Sequence, residues 1–132
     1  MKFLKNVEYI QVQKIYINKN AHLKLGSSFI NHNLKLSYFS MIEIGENVAI
    51  SENVSIRDSD NHEIVGSKQP MTVPISIGNK VWIGMNVTIL KGILVGDGVV
   101  IDANSLGNSD VPPNSLVGGV PVRVIKNNIQ WK

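Results

Sequence analysis

Two aspartates and a histidine stand close together near the middle of the chain, in the phrase Asp58-Ser59-Asp60-Asn61-His62. An ordinary imidazole has a pKa of about 6.5 and can accept a proton at neutral pH, which is the task of a general base. An acidic side chain beside it could orient the ring and stabilise its charged form. The same residue types also suit a solvated loop, where aspartate forms Asx turns. The phrase therefore indicates either a proton-transfer site or an exposed polar loop.

The elements around this phrase are indicated by large aliphatic residues at every sixth position. The clearest run comprises Ile77, Ile83, Ile89, Val95 and Ile101. An α-helix repeats about every 3.6 residues and does not suit this period, whereas six residues accommodate one short strand and one corner. Three such units make a coil of about 18 residues whose aliphatic side chains point inward. The sequence therefore predicts an all-β solenoid of roughly five coils.

The histidine lies where this repeat is interrupted. The pattern aliphatic-x-aliphatic-Gly occurs as LKLG at 23–26, as IEIG at 42–45 and as ISIG at 75–78. The second interval is much longer than one coil, and the surplus falls in a polar segment with two prolines at about 57–74. An insertion in a repeat protein commonly forms a loop on one face, often the binding face. We therefore expect a protruding loop that carries the histidine.

One domain is predicted over residues 1–132, because the length suits a single domain. Within it we expect a lead-in at 1–16, coils at 17–122 and a C-terminal tail at 123–132. The tail could form a strand or a helical turn that covers the open end of the solenoid, with Trp131 as its anchor.

Composition excludes several classes of protein. Hydrophobic residues make up 43% of the chain and charged residues 17%, and no run approaches the roughly 18 apolar residues of a membrane span. The start of the chain lacks the apolar core of a signal peptide, so a cytoplasmic location is expected. The absence of cysteine excludes disulfides, thiolate metal sites and a Cys-linked intermediate. A net charge of +3 without a Lys/Arg run does not indicate nucleic-acid binding, and a small anionic ligand suffices to explain it.

The segment from Ile77 to Lys126 reads IGNKVWIGMNVTILKGILVGDGVVIDANSLGNSDVPPNSLVGGVPVRVIK. It resembles the hexapeptide-repeat acyltransferases of the left-handed parallel β-helix class. Within that family it is most similar to the sugar O-acetyltransferases of the galactoside, maltose and surface-polysaccharide type. The resemblance implies left-handed coiling, acetyl-CoA as the acyl donor, a saccharide acceptor and no metal. It also implies a homotrimer with active sites between subunits.

The resemblance suggests which residues take part in catalysis. His62 would be the general base that takes the proton from the acceptor hydroxyl, with Asp58 or Asp60 as its acidic partner. Without a cysteine, direct transfer from acyl-CoA to the acceptor is the simplest route. Asn33 corresponds to an asparagine near the acceptor, although it could equally be a corner residue. Trp82 would wall the acyl-CoA cleft, pack at the subunit interface, or do both.

Four further residues correspond to the donor site of the family. The backbone N–H of Met85 would bind the thioester carbonyl or the pantetheine arm. Ala103, one coil further on, would let that arm lie close because its side chain is small. Arg123 and Lys126 would meet the phosphates of CoA, Arg through its planar fork, unless they belong to a solvated tail.

Other functions remain open at this point. Tyr38 and Phe39 stand where related enzymes often carry an acid, so the acceptor is uncertain, and an N-acetyltransferase acting on an amino sugar or sugar-nucleotide amine is an alternative. A metal enzyme of the gamma-type carbonic anhydrase kind would need three histidines around one site, but His22 and His32 are ten residues apart. A non-catalytic ice-binding β-helix would need regular threonine arrays, and the chain has two threonines.

Overall fold

The structure is a computed structural model that describes Phe3–Leu4 and residues 20–132. The rest of the predicted lead-in at 1–16 and the first predicted coil residues from 17 lie outside the described residues. Within the described ranges the regular structure is entirely β, and no helix could cross a membrane. In chain order the strands are β1 Phe3–Leu4, β2 His22–Leu25, β3 Ser28–Ile30, β4 Lys35–Ser37, β5 Met41–Ile44, β6 Val48–Ile50, β7 Ser55–Arg57, β8 Ile75–Ile77, β9 Trp82–Ile83, β10 Thr88–Ile89, β11 Leu94–Val95, β12 Val100–Ile101, β13 Leu106–Gly107, β14 Leu116–Gly118 and β15 Arg123–Lys126.

Consecutive strands are distributed over three sheets, so that the chain winds around a three-sided column. Sheet A has the order β1-β2-β5-β8-β11, sheet B the order β3-β6-β9-β12-β14-β15, and sheet C the order β4-β7-β10-β13. Neighbouring strands are parallel except for β14 and β15, which are antiparallel. The predicted fold class is confirmed as an all-β solenoid of about 5 turns, consistent with left-handed winding.

The interior is filled by aliphatic side chains that stack in register. One stack of inward side chains consists of Leu25, Ile44, Ile77 and Val95, which are partners across four strands of sheet A. All four are at most 2% exposed. The predicted run with a six-residue period is also buried throughout. Burial of each such side chain contributes roughly 1.5–3 kcal/mol, which makes the aliphatic interior the main source of stability.

The corner between sheets B and C, here called edge BC, is held by an asparagine in each of four coils. Asn33, Asn53, Asn86 and Asn104 have φ values of 61°, 58°, 59° and 62°. Asparagine tolerates this left-handed conformation because its short polar side chain can bond locally. The Asn33 amide donates to Asn53 Oδ1 at 2.9 Å, and the Asn86 amide donates to Asn104 Oδ1 at 3.0 Å. These side-chain ladders help to hold successive coils in register.

The glycine of the aliphatic-x-aliphatic-Gly pattern lies at the corner between sheets A and B, here called edge AB. A Cβ on Gly45 would lie 2.6 Å from the carbonyl oxygen of Gly78. The backbones of neighbouring coils therefore approach each other so closely here that only glycine fits.

The remaining corner, edge CA between sheets C and A, is where the repeat is interrupted. Residues 58–74 leave the column after β7 and return to it at β8. This is the protruding loop that the sequence predicts at about 57–74. We call it the His62 loop.

The C-terminal tail runs back along the column. After β15, the N–H of Ile129 donates to the carbonyl of Asn114 at 3.0 Å. The indole N–H of Trp131 donates to the carbonyl of Lys80 at 2.8 Å. Asn114 and Lys80 are both corner residues of edge AB, so Trp131 anchors the tail along that edge.

Replacing Ile83 with alanine should lower the free energy of unfolding by about 2–5 kcal/mol, because the change leaves a cavity in the core. Ile83 is 0% exposed. Leu94→Ala is the control, since Leu94 is 55% exposed and its truncation should cost about 0.5 kcal/mol. Urea denaturation followed by circular dichroism measures both. Equal losses for the two variants would contradict the assignment of inner and outer faces.

Candidate functional site

The residues predicted to do chemistry lie mainly on two edges of the column. Asn33, Met85 and Ala103 occupy corners of edge BC, whereas His62 lies in the loop on edge CA. Sheet C separates the two edges by about six residues of extended chain, or roughly 20 Å at most. The two groups of residues lie at a similar height along the axis of the column. The His62 loop leads into β8, and Met85 is the second residue after the next strand, β9. One chain therefore presents two partial sites at a similar level.

A cavity of about 240 Å³ lies beside edge BC. It is formed by the outer face of sheet B and the corner that follows, with the lining residues Ser51, Trp82, Gly84, Met85, Val100, Ile101, Asp102 and Ala103. The side chains of Trp82 and Met85 are prominent in it, at 43% and 44% exposed. The N–H of Met85 donates no hydrogen bond to any described residue. The cavity thus combines an apolar wall with an unpaired backbone donor.

Sequence reasoning missed the two polar side chains of this lining, Ser51 and Asp102. Both directly follow a strand of sheet B, which is the position that Gly84 occupies in the coil between them. That shared register is the signal by which they could have been found. Asp102 Oδ1 accepts the N–H of Ala103 at 3.0 Å, so the amide of Ala103 is already engaged whereas that of Met85 is available.

Two basic side chains stand on β15, the last strand of sheet B. The last corner is closed by the carbonyl of Gly119, which accepts the N–H of Leu106 at 3.0 Å. Arg123 lies opposite Gly118, at the end of β15 next to edge BC, whereas Lys126 lies opposite Leu116, at the end next to edge AB. Both basic residues are exposed, and neither has an ion-pair partner among the described residues. Arg123 is therefore placed to meet an anion at the C-terminal end of edge BC, and Lys126 lies at the far end of the same strand.

Two residues discussed for the acceptor are held in structural positions. The side chain of Asn33 belongs to the ladder of edge BC, and its role toward an acceptor stays a prediction. Tyr38 points into the column and is fully buried, with no partner for its hydroxyl among the described residues. Burial raises the pKa of Tyr38. A protonated, enclosed phenol cannot contact an acceptor.

His62 is exposed near the start of its loop. Asn61, just before it, has a φ of 63° and donates its N–H to Ser59 Oγ at 3.1 Å, so the turn that precedes the histidine is fixed. The imidazole itself makes no hydrogen bond within the described part of the chain. It is therefore available to a ligand or to a neighbouring chain.

Asp58 has partners other than the imidazole. It is fully buried, and its Oδ1 accepts the N–H of Phe39 at 2.8 Å. Its Oδ2 accepts the N–H groups of Ser40 and Met41 at 2.8 and 2.9 Å. The carboxylate thus satisfies three backbone donors at the corner of the preceding coil. Its contacts fix the start of the loop, and none reaches His62.

Asp60 is engaged as well. Its Oδ2 lies 2.6 Å from Lys91 Nζ, which also donates to the carbonyl of Pro70 at 2.6 Å. A role for either aspartate on the imidazole stays a prediction that no contact within the described residues supports.

The anchored tail adds an aromatic ring beside the cavity. The Trp131 ring lies 5.8 Å from that of Trp82, at an angle of 48°. The ammonium of Lys80 is 4.5 Å from the centre of the Trp131 ring, at cation–π distance. Sequence reasoning assigned Trp131 to the tail and did not connect it with Trp82, which is 49 positions away.

The three histidines do not form a metal site within one chain. His22 lies in β2, His32 at a corner of edge BC, and His62 in the loop on edge CA. Across the residues that the structure describes, no three His, Cys, Asp or Glu side chains are placed to hold a metal ion together.

Comparison with known proteins connects this architecture to a family. Residues 74–106 match the family model described as bacterial transferase hexapeptide (six repeats). The structure of a hexapeptide-repeat-containing acetyltransferase from Vibrio cholerae, complexed with acetyl coenzyme A, aligns with a TM-score of 0.78 and 30% identity. That alignment covers 94% of this chain and 69% of the other. The chain belongs to the hexapeptide-repeat acyltransferase family.

Two other members of this family are similar. The galactoside O-acetyltransferase of Escherichia coli K12 is 37% identical over 116 residues, which are 85% of this chain and 57% of the relative. The crystal structure of a polySia-specific acetyltransferase aligns with a TM-score of 0.78 and 33% identity, over 83% of this chain and 50% of that chain. The chain thus spans little more than half the length of these two relatives. The resemblance predicted from the sequence is confirmed.

Asp58→Asn should lower the free energy of unfolding by about 2–3 kcal/mol, because an amide presents one acceptor oxygen and would turn its own N–H₂ toward backbone donors. Asp110→Asn is the matched control, since Asp110 is exposed and accepts one N–H, that of Leu94, at 2.9 Å. We expect its loss to be about 1 kcal/mol or less. Urea denaturation measures both variants. An Asp58→Asn protein as stable as the control would remove Asp58 from its structural role.

Proposed function

We propose that the chain is an acetyl-CoA-dependent O-acetyltransferase that acts on a hydroxyl of a saccharide. The observation that carries this proposal is the occurrence, at similar heights, of the His62 imidazole and the Met85 N–H, neither of which is hydrogen-bonded to a described residue. The first group can accept a proton, and the second can stabilise a developing oxyanion. Support comes from the relative that is complexed with acetyl coenzyme A and from the one named galactoside O-acetyltransferase.

In this proposal the two groups come from different chains of a homotrimer. Three columns packed side by side would bring edge CA of one chain against edge BC of the next, and cyclic symmetry would repeat that pairing at each interface. The outer face of sheet B favours such packing. It carries a ladder of apolar partners, Phe29, Ala49, Trp82, Val100 and Leu116. Covering this stripe with a neighbouring chain would remove apolar surface from water.

The reaction follows from the chemistry of these groups. The imidazole of His62 removes the proton of the acceptor hydroxyl while the oxygen attacks the thioester carbonyl carbon. The N–H of Met85 donates a hydrogen bond to the resulting oxyanion. Collapse of the intermediate expels the CoA thiolate, which takes the proton from the imidazolium. The products are the acetyl ester, free CoA and neutral histidine, and the route needs neither a cysteine nor a metal ion.

The donor would lie along edge BC. Ala103 leaves room for the pantetheine arm one coil beyond Met85, and Trp82 forms the adjoining wall. At the end of this edge, the exposed guanidinium of Arg123 would meet the phosphates of CoA, and Lys126 would reach them from the other end of β15. The order of these groups along the edge matches the order thioester, pantetheine and phosphates along the donor.

The acceptor is proposed to be a saccharide, in surface-polysaccharide biosynthesis, with Asn33 as a hydrogen-bonding residue. The relatives named for galactoside and polySia support this class. The alternative is N-acetylation of an amino sugar or sugar-nucleotide amine, for which the same base would serve.

A thiol-release assay tests the proposal directly. Acetyl-CoA is incubated with mono- and oligosaccharides and with the matching amino sugars, and free CoA is measured. Release that depends on a hydroxyl acceptor supports O-acetylation, whereas release with amines alone favours the alternative. The absence of release with every acceptor of both panels would contradict the proposal.

His62→Ala should reduce turnover by about 10²–10⁴-fold, because a positioned general base contributes about that much. Binding of acetyl-CoA, measured by calorimetry, should be nearly unchanged, since His62 contacts the acceptor. His22→Ala is the control, because His22 lies in β2 of sheet A, outside the His62 loop and edge BC. Unchanged turnover in His62→Ala would exclude His62 as the base.

Arg123→Ala should raise the KM for acetyl-CoA about tenfold, which corresponds to the loss of about 1.4 kcal/mol of phosphate binding. The KM for the acceptor should change less. Steady-state kinetics with each substrate varied in turn measures both constants, and Lys35→Ala removes an exposed charge elsewhere as a control. A larger effect on the acceptor would mean that Arg123 contacts the acceptor instead.

A further inference from the structure

Lys91 ties both limbs of the loop that carries the proposed base to the next coil of the column. Lys91 lies at edge CA, in the coil that follows the loop. Its Nζ is 2.6 Å from Asp60 Oδ2 and 2.6 Å from the carbonyl oxygen of Pro70. Asp60 belongs to the outgoing limb of the loop and Pro70 to the returning limb. We call this arrangement the clasp, because one ammonium joins both limbs to each other and to the next coil.

Backbone hydrogen bonds also join the two limbs of the loop between the clasp and the column. The N–H of Asp60 donates to the carbonyl of Met71 at 3.0 Å, and the N–H of Val73 donates to the carbonyl of Asp58 at 2.9 Å. Beyond the clasp, residues 62–70 are exposed. The hydrogen bonds described in this segment are local, from the N–H of Ser67 to the carbonyl of Ile64 at 2.9 Å and from the N–H of Gln69 to Ser67 Oγ at 3.1 Å. The described hydrogen bonds that join the loop to the column therefore end at the clasp.

We propose that Lys91 is a positioning residue for the His62 general base. The clasp fixes Asp60, and Asn61 is the one residue between Asp60 and His62. The backbone of His62 is therefore confined to within about two residues, or roughly 7 Å of extended chain, of a fixed point. A displacement of about 1 Å can lower a rate about 100-fold when it disturbs the reacting geometry. This inference rests on the proposed function of His62.

The proposal gives Asp60 a different task from the one that the sequence suggests. If Asp60 orients the imidazole, its removal lowers turnover and removal of Lys91 does not. If Asp60 acts by holding the loop, both substitutions break the same contact and their effects coincide. A double-mutant cycle distinguishes these cases, because residues that act through one shared contact are not additive.

The kinetic arm compares Lys91→Met, Asp60→Ala and the double variant, with acetyl-CoA and the best saccharide acceptor. We expect each single variant to lose about tenfold in kcat and the double variant to lose no more. The KM for acetyl-CoA should not change, because the donor lies along the other edge. Lys91→Arg, which keeps the charge and a donor for both oxygens, should retain most of the activity. Lys35→Met, which removes an exposed lysine of β4, is the matched control and should behave as wild type.

Three kinetic results would overturn the proposal. The first is wild-type turnover in Lys91→Met with a loss in Asp60→Ala, which would place Asp60 on the imidazole. The second is a double variant whose fold loss in kcat equals the product of the two single fold losses. The third is a loss in Lys91→Arg as large as that in Lys91→Met.

An exchange arm tests the clasp without any substrate. Hydrogen–deuterium exchange of the amides of Asp60 and Val73 should become faster in Lys91→Met than in wild type or Lys35→Met. The denaturation midpoint should stay close to wild type, because an ion pair that is 20% and 47% exposed adds little to global stability. Unchanged exchange rates would contradict the proposal that Lys91 holds the loop, even if the enzyme is active. A wild-type chain that transfers no acetyl group would contradict the proposed function, and exchange would still decide whether Lys91 holds the loop.

Discussion

The close stacking of one corner on the next, at about 4.8 Å per coil, is the constraint on which the rest of this structure depends. At edge AB the backbones meet without room for a side chain, as the approach of Gly45 to Gly78 shows. At edge BC, left-handed asparagines turn the chain and bond to the coil beyond. Corners in register force the strands to pair in parallel and the aliphatic side chains to meet inside. The same regularity places backbone donors along the edges, and the N–H of Met85 is one that the described fold leaves unused.

A loop inserted into such a stack must not disturb the coils on either side. The buried carboxylate of Asp58 achieves this by satisfying three backbone donors of the preceding coil. Lys91 then holds the loop against the following coil. The entropic cost of closing a longer loop grows slowly with its length, so an exposed segment can be carried without loss of the column. The solenoid can thereby carry an exposed histidine on a loop that is anchored to the column.

The sequence predicts whatever follows from short-range periodicity. The six-residue repeat identifies the solenoid, its core and its interruption, because each depends on neighbours a few positions apart. The partners of the Asp58, Asp60 and Trp131 side chains could not be predicted in this way. They lie between 17 and 51 positions away, and the number of coils in between decides which residues meet. For the same reason the sequence left Asn33 open between a corner and a substrate contact, and the structure shows its side chain bonded to Asn53 at the corner.

The proposed function requires above all that the base of one chain and the donor cleft of another complete a single site. A crystal structure of the protein with bound CoA tests it most directly. The account predicts the pantetheine arm along edge BC past Ala103, with its sulfur near the N–H of Met85 and within reach of a His62 imidazole from a neighbouring chain, directly or through one water. A CoA molecule bound elsewhere, or a sulfur that no His62 imidazole of the assembly can approach, would contradict it.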